Sequence, residues 1–254
     1  MIDLTGRTAL VTGASKGIGA EITAALGRAG ASVIAAYNSD EQGVRSSTGA
    51  IPEDRRRLLS LDLGQPGAGR ELWEQARAWH GSIDVVVCNA AVMLDSPLDA
   101  SDADWDEAWQ RTLAVNVLEP ANLMRSAVRD FVARGGGTLI VLSSWAAQRG
   151  SGNPDLLAYA ASKAAVKSLA QTLARAHAKD GLLVYVIAPG IVRTRMSEIS
   201  AARLGGEEAV TATLAMGEWV PPQEIGELVT FLASGSMRHL SGATLDVNGA
   251  SYIR

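Results

Sequence analysis

A tyrosine and a lysine stand four positions apart in the segment YAASK, as Tyr159 and Lys163. Residues at i and i+4 share one face of a helix, so in a helix the phenol and the ammonium are neighbours. Forming a phenolate at pH 7 costs about 4 kcal/mol, because tyrosine titrates near pH 10. An ammonium about 4 Å away supplies an attraction of that size at an effective dielectric constant of about 20. The spacing predicts that Tyr159 exchanges protons with help from Lys163, the alternative being an ordinary surface pair.

Two adjacent serines, Ser143 and Ser144, follow the apolar run TLIVL and precede this pair. In open α/β sheets, ligands bind outside the carboxyl ends of the strands, so a hydroxyl there points into the binding crevice. Successive residues of a strand face opposite sides. We favour Ser144 over Ser143 as the group that donates to a substrate oxygen and stabilises its developing negative charge. This placement favours the catalytic interpretation of the tyrosine and lysine.

A single asparagine, Asn116, interrupts the apolar helical stretch LAVNVLEP. A buried amide must find hydrogen-bond partners. Asn116 is therefore either a structural asparagine or part of a water-linked proton path, and composition alone favours the structural role.

A glycine-rich turn, TGASKGIG, follows the first apolar run and opens a helical pattern. Gly13, Gly17 and Gly19 can adopt backbone angles barred to other residues and let the chain approach a pyrophosphate closely. The helix that follows points its free N–H groups and its positive end at the same anion. The turn predicts nucleotide binding; the alternative is a tight turn with a structural role alone.

The end of the second apolar run indicates which dinucleotide binds. An acidic residue about 20 positions beyond the glycines accepts hydrogen bonds from a ribose 2′-hydroxyl and repels a 2′-phosphate. Here the run ends in Tyr37-Asn38-Ser39, and the first carboxylate is Asp40. Lys16, inside the glycine turn, can pair with a 2′-phosphate while Asn38 and Ser39 donate to it. We expect NADP as the cofactor, with NAD as the alternative in which Lys16 is a solvated charge.

These residues require a scaffold in which strands and helices alternate. Seven apolar or β-branched runs predict strands: TALVTG, ASVIAAY, RLLSLD, DVVVCN, TLIVLSS, LLVYVIAP and ATLDVNG. Helical patterns lie between them at 17–29, 68–79, 103–133, 156–179 and 222–234. Such alternation is typical of an α/β fold with a doubly wound, seven-stranded parallel sheet and helices on both faces. We expect one domain over 1–254, with 196–219 as a flap over the site or as an excursion without a gating role.

Composition and charge narrow the class of protein. Hydrophobic residues make up 47% and charged residues 20% of the 254 positions, which is typical of a folded globular chain. The net charge of −4 gives no general attraction to nucleic acid or anionic lipid, and no apolar run approaches the roughly 18 residues of a membrane span. The lone cysteine excludes an internal disulfide, the start MIDLTGRTALVTG is not a secretory signal, and the three histidines lack metal-ligand spacing. We expect a cytoplasmic protein without a metal site.

In combination these motifs resemble those of the short-chain dehydrogenase/reductase family, over nearly the whole chain. The resemblance implies a single-domain Rossmann fold and oxidoreduction between a carbonyl and a secondary alcohol with NAD(P). The turn TGASKGIG is similar to the family's TGxxxGxG, and YAASK to its YxxxK. By this resemblance Tyr159 is the general acid/base, and Lys163 lowers its pKa and holds the nicotinamide ribose. Ser144 positions the substrate, and Asn116 supports a water chain that returns a proton through Lys163.

The same resemblance assigns cofactor contacts. Asp62-Leu63 is similar to a pair whose carboxylate contacts adenine, Asn89-Ala90 to the core of an NNAG motif, and PGIVRT to a PGxVxT segment. In that segment the Val192 backbone and the Thr194 hydroxyl would bind the carboxamide. The expected cofactor residues are Gly13, Ser15, Lys16, Gly17, Ile18, Gly19, Tyr37, Asn38, Ser39, Asp62, Leu63, Asn89, Ala90, Tyr159, Lys163, Pro189, Gly190, Val192 and Thr194.

Two departures from the family pattern bear on the site. NNAG reads CNAA, which puts a thiol, expected to be buried and inert, at Cys88, and puts Ala91 in a turn that usually has glycine. The interval between Ser144 and Tyr159 is longer than the family's and holds GSGNP. Substrate assignments by analogy weaken there.

The sequence constrains the substrate less than it constrains the cofactor. The pattern is similar to 3-oxoacyl carrier-protein reductases, especially the ending GATLDVNGASYIR, which implies NADPH-dependent reduction of a ketone. Candidate pocket residues are Met93, Trp145, Gln148 and the 196–219 flap, with core packing as the alternative for Met93 and an exposed or interface position for Trp145. The rival functions are an NAD-dependent sugar or secondary-alcohol dehydrogenase and a non-catalytic dinucleotide-binding regulator.

Partners follow from surface chemistry. A carrier protein would need a basic patch near the site mouth, and the candidates are Arg149, Arg193, Arg195 and Arg203. Scattered solvated charges are the alternative. The helix that begins near Tyr159 is apolar nearly all round, which indicates burial on every side. We therefore expect a homodimer or homotetramer, as is common in the family.

Overall fold

A computed structural model describes residues 2–254 of the chain. Seven parallel strands form one sheet in the order β3-β2-β1-β4-β5-β6-β7. The strands are β1 (Thr8–Thr12), β2 (Ser32–Tyr37), β3 (Arg56–Ser60), β4 (Val85–Cys88), β5 (Gly137–Leu142), β6 (Leu182–Pro189) and β7 (Thr244–Val247). The strand order reverses between β1 and β4, and ligands bind at such a switch point. The predicted doubly wound sheet is confirmed, with each strand in its apolar run.

The helices cover both faces of this sheet. They are α1 (Gly17–Arg28), α2 (Glu41–Ser47), α3 (Ala68–His80), α4 (Asp102–Leu113), α5 (Glu119–Arg134), α6 (Ala146–Arg149), α7 (Leu157–His177), α8 (Arg195–Arg203), α9 (Glu207–Thr211) and α10 (Pro222–Ala233). The helical patterns expected to begin near positions 17, 68, 156 and 222 match α1, α3, α7 and α10. The short helices α2 and α6 were not predicted.

The stretch expected as one helix over 103–133 consists of three pieces. A π-helix, Ala114–Leu118, lies between α4 and α5 and contains Asn116. Single π-helical turns inside α-helices are frequent at functional sites. The stretch ends at Gly135, whose φ of +85° is the left-handed conformation that favours glycine after a helix. The sequence pattern thus predicted the extent of this stretch and missed its widened turn.

The core lies on both faces of the sheet, which explains why the strands are apolar almost throughout. In β4, Val86 packs into one buried cluster, while Val85 and Val87 pack into the other. The same alternation places Leu10 of β1 in the first cluster and Val11 in the second. Strands covered by helices on both sides need apolar residues at every position.

The segment 196–219 forms a small unit of its own beside the carboxyl end of the sheet. It contains most of α8, all of α9 and a loop that ends at Trp219, which is 2% exposed. Its buried side chains, Ala201, Val210, Leu214 and Trp219, form a separate apolar cluster.

Helix α7 buries one side against the sheet and exposes the other in the single chain, and the expected contact of that second side with another chain stays a prediction. Val166 and Ala170 face the sheet and are buried, whereas Ala161 and Ala165 are exposed. None of the helices within 2–254 combines the length and apolarity that crossing a bilayer requires.

Candidate active site

A cleft of about 590 Å³ opens at the carboxyl ends of the strands. All of the cofactor residues expected from the sequence line it, and so does Ser144. Asn116 does not line it. The topology therefore brings together residues that are scattered from position 13 to position 194.

The glycine turn between β1 and α1 is shaped by close packing. Gly13 has φ +68°, and a Cβ on Gly19 would lie 2.0 Å from the carbonyl oxygen of Gly13. The Asn89 amide donates to the carbonyls of Thr12, at 2.8 Å, and of Gly13, at 3.2 Å. The backbone N–H groups of Asn89 and Ala90 both donate to the Thr12 hydroxyl at 3.0 Å. Asn89 thus holds the turn, and only residues without a side chain fit at its tightest points.

The end of β2 presents hydroxyl, amide and ammonium groups to the cleft. Lys16, Asn38 and Ser39 are all exposed there. Asp40 is instead used to begin α2, because its carboxylate accepts a hydrogen bond from the Gly43 N–H at 2.9 Å. The first carboxylate after β2, that of Asp40, therefore caps the N-terminus of α2.

After β3, Asp62 is held by an arginine that the sequence did not single out. Arg111 of α4 donates to the two carboxylate oxygens at 2.9 and 3.3 Å, and the Gly64 N–H donates at 2.8 Å. These hydrogen bonds lower the pKa of Asp62. Leu63, beside it, is buried.

The two serines after β5 make different contacts. Ser143 donates to the backbone carbonyl of Lys163 at 2.8 Å and is buried against α7. Ser144 accepts from the Ala146 N–H at 3.1 Å, and its hydroxyl is near enough to the Tyr159 phenol to lower the pKa of that group. Both serines line the cleft, and Ser144 is the one that acts on the phenol.

Tyr159 and Lys163 lie in the first turns of α7, where burial opposes the charged form of each. Burial raises the pKa of Tyr159, and the neighbouring Ser144 hydroxyl partly offsets this. Burial lowers the pKa of Lys163 to about 8. The Lys163 ammonium lies 5.7 Å from the centre of the Tyr159 ring and donates to the Leu142 carbonyl at 2.8 Å. Burial sets the direction of this shift, and the expected lowering of the phenol pKa stays a prediction for the enzyme with its cofactor.

The Asn116 side chain forms its hydrogen bonds with protein groups. Its carbonyl accepts from the Val92 N–H at 2.8 Å, and its amide donates to the Val92 carbonyl at 2.9 Å and to Ser162 at 3.0 Å. Ser162 in turn donates to the Tyr159 carbonyl at 2.7 Å. Asn116 thus ties the loop after β4 to the first turn of α7, an arrangement of the structural kind that composition favoured.

The segment after β6 connects the cleft to α8. Thr194 caps α8 by accepting from the Ser197 N–H at 3.3 Å. A Cβ on Gly17 would lie 3.2 Å from the Thr194 methyl group, so this segment closes over the glycine turn. Val192 forms an isolated parallel bridge with Val220, which anchors both ends of the 196–219 segment.

Only some of the expected pocket residues line the cleft. Met93 lines the cleft. Trp145 and Gln148 do not, because Trp145 packs against the apolar cluster of the 196–219 segment and Gln148 donates to Asp246 at 2.8 Å. Of that segment, Met196, Ser197 and Ile199 line the cleft.

The longer interval between the serine and the tyrosine is tied to the loop after β4. Ser96, fully buried, donates through its N–H to the Asp155 carbonyl at 2.6 Å, and its hydroxyl accepts from the Ala158 N–H at 3.1 Å. Next to it, Asp95 forms an exposed ion pair with Arg203 at the end of α8. Neither Ser96 nor this ion pair was predicted, because they join segments far apart in the chain.

The other arginines near the mouth also have partners. Arg195 lies 3.6 Å from Glu198. Arg193 pairs with Glu207 at 2.8 Å and lies over the Trp219 ring. The remaining arginine, at position 149, lies 4.8 Å from the centre of the Trp145 ring.

The departures from the NNAG pattern are accommodated. Cys88 is buried, and desolvation raises the pKa of its thiol to about 12, as expected of an inert thiol. Within residues 2–254, the only residue other than glycine with positive φ is Ala250, so Ala91 causes no backbone strain.

The comparisons with known proteins agree with this geometry. A family model described as enoyl-(acyl carrier protein) reductase matches residues 13–250. The chain is 34% identical to 3beta-hydroxysteroid dehydrogenase 1 of Eggerthella lenta, over 99% of this chain and 95% of that protein. The structure of a 3-oxoacyl (acyl-carrier-protein) reductase from Agrobacterium tumefaciens, solved with NADP, matches with a TM-score of 0.87 at 33% identity, covering 97% of this chain and 95% of that one.

A second solved structure matches with a TM-score of 0.86 at 31% identity, covering 98% of each chain. It is described as a putative NAD(P)-dependent gluconate 5-dehydrogenase from Beutenbergia cavernae with NADP bound at low occupancy. These relatives act on different alcohols and ketones by their descriptions, and they share the fold with this chain. The chain belongs to the short-chain dehydrogenase/reductase family of oxidoreductases.

Proposed function

We propose that the protein reduces a ketone to a secondary alcohol with NADPH. The observation that carries this proposal is that Ser144, Tyr159 and the buried Lys163 line the same cleft as the glycine turn. A dinucleotide-binding regulator would not need a serine, a tyrosine and a lysine assembled in this way.

The residues of the cleft fit a dinucleotide. The turn leaves no room for a Cβ at Gly19, so backbone can approach a pyrophosphate at the N-terminus of α1. In the proposal, Asp62 and Leu63 hold the adenine end, and Val192 and Thr194 hold the carboxamide. Exposed polar groups at Lys16, Asn38 and Ser39 suit a 2′-phosphate, and one oxygen of the Asp40 carboxylate is already bonded to the Gly43 N–H.

The chain's own residues then handle the proton and the substrate oxygen. Bound NADPH supplies a hydride to the carbonyl carbon. Ser144 donates a hydrogen bond to the carbonyl oxygen and stabilises the negative charge that develops there. Tyr159 gives its proton to the same oxygen, and its raised pKa suits this role because the phenol is protonated at neutral pH. Lys163 holds the ribose and returns a proton to the phenolate.

Asn116 enters the proposal as a positioning residue. Its side chain bridges Val92 and Ser162, so it fixes the first turn of α7 relative to the loop after β4. Any relay of protons through water at this point would use its backbone carbonyl in the π-helix, since the side chain is already bonded.

The test of the proposed function is NADPH oxidation with a panel of ketones by the wild type and by Tyr159→Phe. We expect turnover by the wild type and at least a 1,000-fold loss of kcat in the variant, with NADPH affinity within about threefold. Full activity in Tyr159→Phe would refute the mechanism. NADPH binding by the wild type without turnover of any ketone or alcohol would favour the regulator.

We also propose that the protein works as a homodimer or homotetramer in the cytoplasm. The exposed face of α7, with Ala161 and Ala165, adjoins apolar residues that are unusually open: Leu118 is 58% exposed and Leu157 is 37% exposed. Burying this surface against a second copy would remove it from water. Sedimentation velocity at micromolar concentration tests the assembly, and a monomer would contradict it.

A carrier-protein partner does not form part of the proposal. Docking of an acidic carrier needs unpaired cationic side chains near the mouth. Each expected arginine instead has a carboxylate or an aromatic ring as its neighbour: Arg149, Arg193, Arg195 and Arg203.

A further inference from the structure

Large apolar side chains from two segments line the cleft and form its apolar wall. Met93 and Leu94 come from the loop after β4, and Met196 and Ile199 come from α8. Met196 is 38% exposed and Ile199 is 46% exposed, and both line the cleft. Apolar side chains left open around a concave site form a surface that gains free energy when an apolar ligand covers it.

The polar groups of this wall are few and already bonded. The Ser197 hydroxyl is shared with Thr194 at 3.3 Å. The four arginines near the mouth are engaged by carboxylates or rings, and Arg195, the one that lines the cleft, has Glu198 at 3.6 Å. Arg195 is 79% exposed, so an ion pair that it formed with an anionic substrate would lie in solvent and contribute little to binding. A polyol would find no unbonded row of donors and acceptors on the apolar wall.

We propose that the substrate is an uncharged, predominantly apolar ketone that fills the space between Met93, Met196 and Ile199. This inference rests on the proposed function and deepens it. The relatives are described as acting on a steroid, a carrier-bound thioester and a sugar acid. The inference favours an apolar ketone over the last two, because both bring charges that an apolar wall does not stabilise. An apolar ketone is held by burial alone, with its oxygen directed to Ser144 and Tyr159.

The first experiment compares kcat/KM of the wild type, at saturating NADPH, for cyclohexanone, trans-1-decalone, 5-keto-gluconate and acetoacetyl-coenzyme A. Each methylene group that is buried strengthens binding by about fourfold. We expect decalone to exceed cyclohexanone by at least tenfold, and both anionic compounds to fall at least 100-fold below decalone. Preference for either anionic compound overturns the inference and leaves the proposed function intact. Absence of turnover with all four overturns the proposed function itself.

The second experiment places a cation in the wall. Ile199→Lys should lower kcat/KM for decalone at least tenfold, because it replaces apolar contact with a charge that must remain hydrated. The matched control is Ala202→Lys, on the exposed side of the same helix and outside the cleft lining, which should stay within twofold of the wild type. Unchanged decalone activity in Ile199→Lys, or equal losses in the two variants, would contradict the assignment of this wall to the substrate.

The third experiment examines the arginine that lines the cleft. Arg195→Gln should change kcat/KM for decalone by less than threefold, since the inference gives this side chain no part in holding the substrate. A loss confined to 5-keto-gluconate or acetoacetyl-coenzyme A, accompanied by substantial wild-type activity on that compound, would identify Arg195 as an anion site and overturn the inference.

Discussion

Arg111 holds the carboxylate of Asp62 with two hydrogen bonds, at 2.9 and 3.3 Å, although the two residues are 49 positions apart. The guanidinium crosses above Gly64, where a Cβ would lie 1.3 Å from one of its nitrogens. If Asp62 contacts adenine as proposed, Arg111 sets the direction in which that carboxylate points.

Replacing Arg111 should therefore weaken cofactor binding without touching the chemistry. Arg111→Gln should raise the Kd for NADPH about fivefold, because the partly exposed pair contributes about 1 kcal/mol. Fluorescence titration with NADPH measures this, and kcat at saturating cofactor should stay within twofold. Arg125→Gln, on the exposed side of α5, is the control. Equal effects of the two substitutions would remove Arg111 from the cofactor site.

The two serines after β5 should separate into a catalytic and a structural residue. Ser144→Ala should lower kcat about 100-fold, the usual cost of removing one donor to a developing oxyanion. Ser143→Ala should keep kcat within a few fold and lower the free energy of unfolding by about 1 kcal/mol, because its hydroxyl binds the Lys163 carbonyl in the core. Steady-state kinetics and urea unfolding distinguish the two, and a reversal of these effects would show that the assignment is wrong.

The buried Lys163 should make stability depend on pH. Its pKa falls from 10.5 to about 8 on folding, so between these values the unfolded chain binds more protons than the folded one. The free energy of unfolding should therefore rise with pH in that window, on the order of 1 kcal/mol per pH unit, relative to Lys163→Met. Below pH 8 both states carry the proton and the difference should be constant. Urea titrations from pH 7 to 10.5, without cofactor, test the sign; a difference that is flat throughout would contradict it.

Lys16 should decide the choice between NADPH and NADH. Lys16→Ala should raise the KM for NADPH about tenfold by removing one charge-assisted contact, and should leave the KM for NADH unchanged. Lys179→Ala, an exposed lysine after α7, controls for the change in net charge. An equal loss for both cofactors would place Lys16 at the pyrophosphate rather than at the 2′-phosphate.

Ala250 is strained, and relieving the strain should stabilise the protein. Its φ of 57° lies in the left-handed region, which costs a residue with a Cβ roughly 1–2 kcal/mol. Ala250→Gly should raise the free energy of unfolding by about 0.5–1 kcal/mol, after the greater freedom of glycine in the unfolded chain is counted. Ala78→Gly, at an exposed position of α3, should have the opposite sign. The same sign for both substitutions would show that Ala250 is not strained.

The sequence predicted the sheet because its central strands are buried on both faces and are therefore apolar almost throughout. The spacing of four residues placed Tyr159 and Lys163 on one face of a helix, and both line the cleft. Their catalytic roles, and the choice of Ser144 over Ser143, stay predictions.

What the sequence did not reveal depends on contacts between distant segments. The pairs Asp62–Arg111 and Asp95–Arg203 have no periodicity to mark them. The helix α2 has a single buried residue, Val44, so it lacked an apolar pattern. The pKa of Tyr159 was expected from its charged neighbour, yet burial dominates it, and burial becomes known only once the chain is folded.

The ion pair of Asp95 and Arg203 joins two parts of the chain that are 108 positions apart, the loop after β4 and the end of α8. Dissolved ions screen exposed charges over about 10 Å at 0.1 M salt. Higher salt would weaken the ion pair between Asp95 and Arg203, so that a neutral product could dissociate faster. The rate of an enzyme acting on uncharged molecules would then respond to ionic strength, through a charge pair that belongs to the protein and never touches what is converted.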